Sequence, residues 1–184
     1  MNILIDNLPD FITVRSRKYK INTSHKVWIA FEEIITKEDL TLSDKYIKII
    51  SLCLKDKVLP PSLEETVKEL FNFYAISPSS TPAGKETKKL LDFSHDSDLI
   101  YSAFLSQYSI DLTETPVHWW KFISLFKGLT SDNRICEVMH LRSLNPGQIQ
   151  DKEQRATLSK LQKQFRIPSA ESDNDIATEF GKLM

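Results

Sequence analysis

Thr115–Phe126 reads TPVHWWKFISLF. Seven of its twelve residues are apolar, two of them adjacent tryptophans, and His118 and Lys121 flank the indoles. Thr115 ahead of Pro116 predicts a helix start there, because a proline at the first helical position lacks an N–H that would have no partner anyway. From that start Trp119, Phe122, Ile123 and Phe126 fall on one stripe at helical spacing. Trp120 and Leu125 point elsewhere, and a helix that is apolar on more than one side packs among other helices. Gly128 predicts its end. The stretch therefore asks for a helical setting, and the flanking sequence supplies one.

On the N-terminal side, FSHDSDLIYSAFLSQYSIDL (93–112) opens with Ser94, Asp96 and Asp98, the short acceptors and negative charges that favour a helix start. Leu99, Ile100, Ala103, Phe104 and Tyr108 follow at helical spacing. On the C-terminal side, SDNRICEVMHLRSL (131–144) carries Ile135, Val138 and Met139, and NPGQ (145–148) breaks that helix. DKEQRATLSKLQKQF (151–165) is polar with a narrow seam of Leu158, Leu161 and Phe165, and Pro168 ends it. Residues 169–184 are acidic and small and read as a flexible tail, in which IATEFGKL (176–183) could make a short helical turn.

Nearer the N-terminus, FITVRSRKYKI (11–21) alternates apolar and polar residues, so Ile12 and Val14 can share a face with Tyr19 and Ile21 in a hairpin, although the turn has no glycine. Three helices are predicted next. NTSHKVWIAFEEIIT (22–36) has Thr23 or Ser24 as cap and a stripe of Val27, Trp28, Phe31, Ile34 and Ile35. TLSDKYIKIISLCL (41–54) has Ser43 as cap and a stripe of Tyr46, Ile47, Ile50 and Leu54. PPSLEETVKELFNFYAI (60–76) has Ser62 and Glu65 in a capping-box arrangement, with Leu63, Val67, Leu70, Phe71 and Tyr74 on its apolar side. SPSSTPAGKETKK (77–89) holds two prolines, a glycine and three serines without a large apolar residue, so it reads as a linker. The expectation is a mostly α chain of helical bundle-like subdomains with a small N-terminal β hairpin: residues 1–76, a linker over 77–89, a helical subdomain over 90–168 and the tail over 169–184.

Composition narrows function by exclusion. Net charge is −1, with 24 basic residues against 25 acidic, which lacks the basic excess of a nucleic-acid platform. Four glycines in 184 residues leave no phosphate-cradling loop. No apolar run reaches the roughly 18 residues of a membrane span, and the N-terminus has no basic leader, so a cytoplasmic location is expected. Cys53 and Cys136 make no metal spacing and read as buried thiols. In HDSD (95–98), helix capping outweighs metal binding. Glu114 and His118 are separated by Pro116 and read as a solvated or hydrogen-bonded pair. No nucleophile sits in a strand–turn–helix context. An enzyme is not expected, and neither is a metal or cofactor. Binding or assembly remains. Both tryptophans read first as anchors of a helical core, and the second reading sets Trp120 at a groove or self-association surface. The residues least explained by core stripes are Trp120 and Lys121, with Tyr101 and Gln107 on the preceding helix, and these are the candidate partner contacts.

DFSHDSDLIYSAFLSQYSIDLTE, then HWWKFISLFKGL, then DKEQR, together with INTSHKVWIAFEEII, occur in the order found in the bacteriophage gene-product-fifteen family of long-tailed phages and prophages of Gram-positive bacteria. The chain resembles that family over roughly residues 5–166. The resemblance implies a protein encoded between the major tail protein and the tape-measure protein, which is the position of a tail assembly chaperone. It implies the tape-measure protein and the major tail-tube protein as partners, with self-association also possible, action in the bacterial host cytoplasm, and absence from the mature virion. It supplies no catalytic residue. The rival expectation is a structural tail or connector component that stays in the virion.

Overall fold

A computed structural model of the chain describes residues 2–56, 58–75 and 89–168. The expected linker, apart from Lys89, and the expected tail lie outside the described residues. Among the described residues there are seven α-helices and one two-stranded antiparallel hairpin, so the fold is mostly α.

Strands β1 (Phe11–Val14) and β2 (Arg17–Lys20) pair Ile12 with Tyr19 and Val14 with Arg17. Ile12, Val14, Tyr19 and Ile21 are all buried, as their alternation predicts. The turn that the sequence hides is made by Arg15 and Ser16, whose φ values are 45° and 64°. A two-residue hairpin turn of this hand needs positive φ at both central positions, and here non-glycine residues accept it. Arg15 is also held in place, because its guanidinium meets the Glu65 carboxylate at 3.1 Å and 3.2 Å.

Three helices follow: α1 (His25–Thr36), α2 (Leu42–Cys53) and α3 (Leu63–Tyr74). Ser62 caps α3 as expected, accepting from the Glu65 N–H. Glu65 does not complete the reciprocal box, since its carboxylate is on Arg15. The α2 cap is Thr41, which accepts from Asp44 N, and not Ser43. Ser24 stands at the N-cap of α1 without a side-chain capping bond. That helix start is fixed instead by a backbone bridge: His25 N–H donates to Val117 O at 2.8 Å and Trp119 N–H to Thr23 O at 2.7 Å. A second bridge joins the hairpin exit to the end of α2, with Asn22 N–H donating to Cys53 O and Lys55 N–H to Lys20 O.

The remaining helices are α4 (Ser97–Tyr108), α5 (Trp119–Lys127), α6 (Arg134–Ser143) and α7 (Lys152–Gln164). Helix α5 starts three residues later than Pro116 suggests. Its cap is the His118 ring, which accepts from Trp120 N–H at 3.2 Å, because Val117 and His118 are drawn into the bridge at the start of α1.

The described residues form two compact units that do not follow one cut in the sequence. The first combines those of Met1–Gly84 with Phe104–Gly128, and the second those of Lys85–Ala103 with those of Leu129–Met184. The block expected over 90–168 is thus divided, because Phe104–Gly128 finds its apolar partners among α1 and α3.

In the first unit, α1 packs on α2, α2 on α3, and α3 on β1. Trp28, Phe31, Phe73, Trp119, Phe104 and Phe122 are buried. Their rings lie tilted or stacked, as at 4.6 Å for Trp28–Phe73 and 5.0 Å for Phe104–Phe122. Cys53 is fully enclosed, and burial pushes its thiol up to about 12, which leaves it unreactive.

In the second unit α6 packs on α7 over a smaller interior of Ile100, Ala103, Ile135, Val138 and Leu158. A charged pair completes it. Arg142 donates to both Asp96 carboxylate oxygens at 2.6 Å and 2.8 Å, to Leu90 O at 3.0 Å and to Phe165 O at 2.7 Å. Asp96 also accepts from Asp92 N–H. Asp96 of the HDSD cluster is therefore a buried counter-charge, while Asp98 stands in the first turn of α4.

Helix C-termini are closed in two ways. No described glycine has positive φ, but Ser109 (φ 54°) closes α4 in the left-handed form, with Ile110 N–H donating to Phe104 O. At other helix ends long side chains from elsewhere take the terminal carbonyls. Lys45 donates to Ile35 O, Gln107 to Gly128 O, Tyr108 to Leu125 O, and Gln162 to Leu141 O and Leu144 O. Every buried side-chain nitrogen and oxygen among the described residues has a partner.

Candidate functional site

The expected contact residues are placed as follows. Trp119 is 1% exposed, and its indole N–H donates to Tyr74 O at 3.0 Å. Trp120 is half-buried, its N–H donates to Phe73 O at 2.9 Å and its ring stacks on Phe73 at 5.3 Å. The adjacent indoles thus close the last two carbonyls of α3, which is why the pair is consecutive. Lys121 is exposed beside them. Gln107 is half-buried and tied to the end of α5. Tyr101, half-buried on α4, belongs to the second unit, whereas the other three belong to the first.

Two histidines bracket this region. His25 is 3% exposed, stacks on Phe122 at 5.3 Å, and accepts from Val117 N–H through Nδ1. Burial is the largest influence on it and holds its pKa below the ordinary 6.5; the Lys26 charge acts in the same direction, against backbone bonds to Val117 and Leu112. His118 accepts from Trp120 N–H through Nδ1, which leaves Nε2–H to donate to Pro9 O at 3.1 Å. Burial again leads in lowering its pKa, assisted by Lys121 and opposed by the Pro9 bond and Asp10. Both rings are neutral connectors between segments about ninety or more positions apart in the chain. Glu32 accepts from Tyr74 Oη at 2.5 Å, and burial raises the Tyr74 pKa. No group of three or more His, Cys, Asp or Glu residues that could hold a metal comes together among the described residues.

A different surface has the character of a binding site. An open groove of about 590 Å³ runs along α2 and its connection to α3. Ile47, Ile50, Leu54, Val58, Leu59 and Leu63 supply its apolar lining. Four of these face solvent: Ile47 is 60% exposed, Val58 50%, Leu59 75% and Leu63 41%. Single exposed aliphatic residues are ordinary, but four around one concavity mark an interaction surface. Backbone and capping bonds fix the loop that carries it. Asp56 accepts from Lys20 N–H at 2.8 Å, Lys55 N–H donates to Lys20 O, and the Ser62 cap sets the direction of α3. Among the described lining residues the charges are Lys55 and Asp56 and most of the rest are aliphatic, so the groove suits an apolar helix face more than a polar ligand.

Sequence reasoning assigned Ile47 and Leu63 to core stripes and passed over Val58 and Leu59. The signal was there. Ile47, Ile49 and Ile50 cannot all lie on one face of α2, and Val58 and Leu59 place two large apolar residues in a loop.

A protein-family profile described as Bacteriophage Gp15 protein matches residues 4–167. The chain belongs to that family. Membership suggests a phage structural or assembly-related protein. No curated protein and no solved structure matches the chain. No described helix of this family member is long and apolar enough to cross a membrane.

Proposed function

We propose that this Gp15-family protein is a tail assembly chaperone that holds an apolar helical segment of the tape-measure protein in the α2–α3 groove and helps bring tail-tube subunits to it. The observation that carries this reading is the exposed aliphatic lining of one groove by Ile47, Val58, Leu59 and Leu63. A tape measure is long, helical and apolar along its seams until the tube encloses it. A chaperone for it must bind without recognising one sequence and must then release. A shallow groove meets both needs, since each contact is modest and many copies along one client hold by avidity. Trp120 and Lys121, exposed in part on α5, offer a second surface for the tail-tube subunit. The activity is binding, carried out in the host cytoplasm, with the chaperone left out of the finished virion.

Co-expression with the neighbouring tape-measure protein tests this. The wild-type chain should keep the tape measure in the soluble fraction. Ile47→Asp and Leu59→Asp should each lose that effect while keeping the wild-type thermal midpoint. Equal solubilisation by the groove variants would overturn the assignment of the groove. Recovery of the chain in stoichiometric amount from purified virions would favour the structural rival.

A further inference from the structure

The second unit carries a basic depression of about 520 Å³ at the end of α7, walled by Lys89, Arg142, Gln162, Lys163, Arg166 and Ile167. Four of these side chains are cationic and none is acidic. Arg142 is committed to Asp96, and Lys89 meets Asp92 at 2.7 Å. Lys163 and Arg166 are exposed and have no ion-pair partner among the described residues. Cations gathered around one concavity repel one another and attract an anionic segment. The chain leaves the depression at Pro168, which is itself part of the wall. The residues that follow read SAESDNDIATEFGKLM, with carboxylates at Glu171, Asp173, Asp175 and Glu179 against a single Lys182. The two-residue spacing of the first three puts them on one side of an extended segment. At up to about 3.6 Å per residue, Asp175 can reach no further than about 25 Å from Pro168. The family match stops at residue 167, and this acidic stretch lies beyond it.

We propose that residues 169–184 dock in the basic depression of the same chain, with Glu171, Asp173 and Asp175 facing Lys163 and Arg166. Attachment next to the site gives the segment an effective concentration in the millimolar range, so even weak ionic contacts fill it. While filled, the cationic end of α7 is closed to other acidic partners. Salt opens it, because the Debye length falls from about 30 Å at 0.01 M to about 3 Å at 1 M.

Carbodiimide coupling of the full-length chain, read by peptide mass spectrometry, tests the proposal. The sample is an equal mixture of unlabelled chain and chain uniformly labelled with heavy nitrogen. The expected products join Lys163 or Lys89 to Glu171, Asp173 or Asp175 within one isotopic species. Their yield should fall several-fold in high salt and in the Arg166→Glu variant. Products joining light to heavy chains would assign the depression to a second copy and overturn docking within one chain. Tail carboxylates that couple no better to Lys163 and Lys89 than to Lys26 or Lys121 would overturn docking altogether.

Discussion

In the first unit, Trp28, Phe31, Phe73, Trp119, Phe104 and Phe122 share one interior and touch one another in pairs, so no single ring carries the packing. The second unit has no buried aromatic ring among its described residues, and Arg142 ties α6 to the start of α4, to Leu90 and to the end of α7 at once. Truncating one ring leaves a cavity into which neighbours relax only in part, so the cost is set by the space that remains. Breaking a charge pair out of water costs by another route, since removing one partner strands the other. The two halves of one small protein thus reach stability by opposite routes.

The largest effect is expected where the contrast is sharpest. Arg142→Ala should destabilise the second unit by about 3–5 kcal/mol, by leaving Asp96 buried and unpaired. Hydrogen exchange read by peptide should then accelerate in α6 and α7 and not in α1 and α3. Adding an apolar partner change, Arg142→Met with Asp96→Leu, should recover only part of the loss, because Leu90 O and Phe165 O still lack their donor. Full recovery would show that the carbonyl bonds contribute nothing.

Next in size, Trp120→Ala should lower the stability of the first unit by about 2 kcal/mol, through loss of the Phe73 stack and the indole bond to Phe73 O. Trp120→Phe should cost about half as much, since it keeps a ring but not the N–H. Denaturant midpoints for the pair separate stacking from capping.

Acid should act on the first unit through its histidines. His25 and His118 have folded pKa values below 6.5, so the unfolded chain takes up protons first as pH falls. Their contribution to stability is therefore full above 6.5 and declines as pH drops from there toward the folded values. Thermal midpoints measured on either side of that window should fall with acid in the wild type, and less in His25→Gln. A midpoint that rose with acid would contradict neutral rings.

The smallest effect carries the opposite sign. Ser16→Gly should stabilise the hairpin by up to about 1 kcal/mol, because glycine takes a φ of 64° without the Cβ penalty. The Arg15–Glu65 pair, exposed on both sides, should add no more than about that amount.

These outcomes bear on how far the sequence could be read. Periodicity located the helices and most of their buried faces, because burial on one stripe is a local property of spacing. Ser62 and Asp151 were legible as a cap and a helix start because their acceptors act within one turn. The start of α5 was not legible, since it depends on Val117 and Trp119 bonding to α1 across some ninety residues. The hairpin turn escaped because Arg15 and Ser16 are not the residues that positive φ favours. Arg142 could have been suspected. It lies on the stripe of Ile135 and Val138, where a charge has to find a partner. The groove was misjudged for a related reason: a stripe shows that one face is apolar but does not show whether another helix covers it.

Phe104–Gly128 has a further consequence for how the protein is made. The first unit cannot close until α5 has been synthesised, since Tyr74 O, Phe73 O, His25 and Thr23 all await partners from 117–120. On the ribosome, the N-terminal hairpin and three helices must therefore wait with open aromatic faces for some fifty more residues to emerge. Their docking becomes a late, long-range step and not a local one. A chain severed between residues 76 and 89 would separate these elements from the segment that completes them, so the first unit should regain its structure only when the two fragments are supplied together.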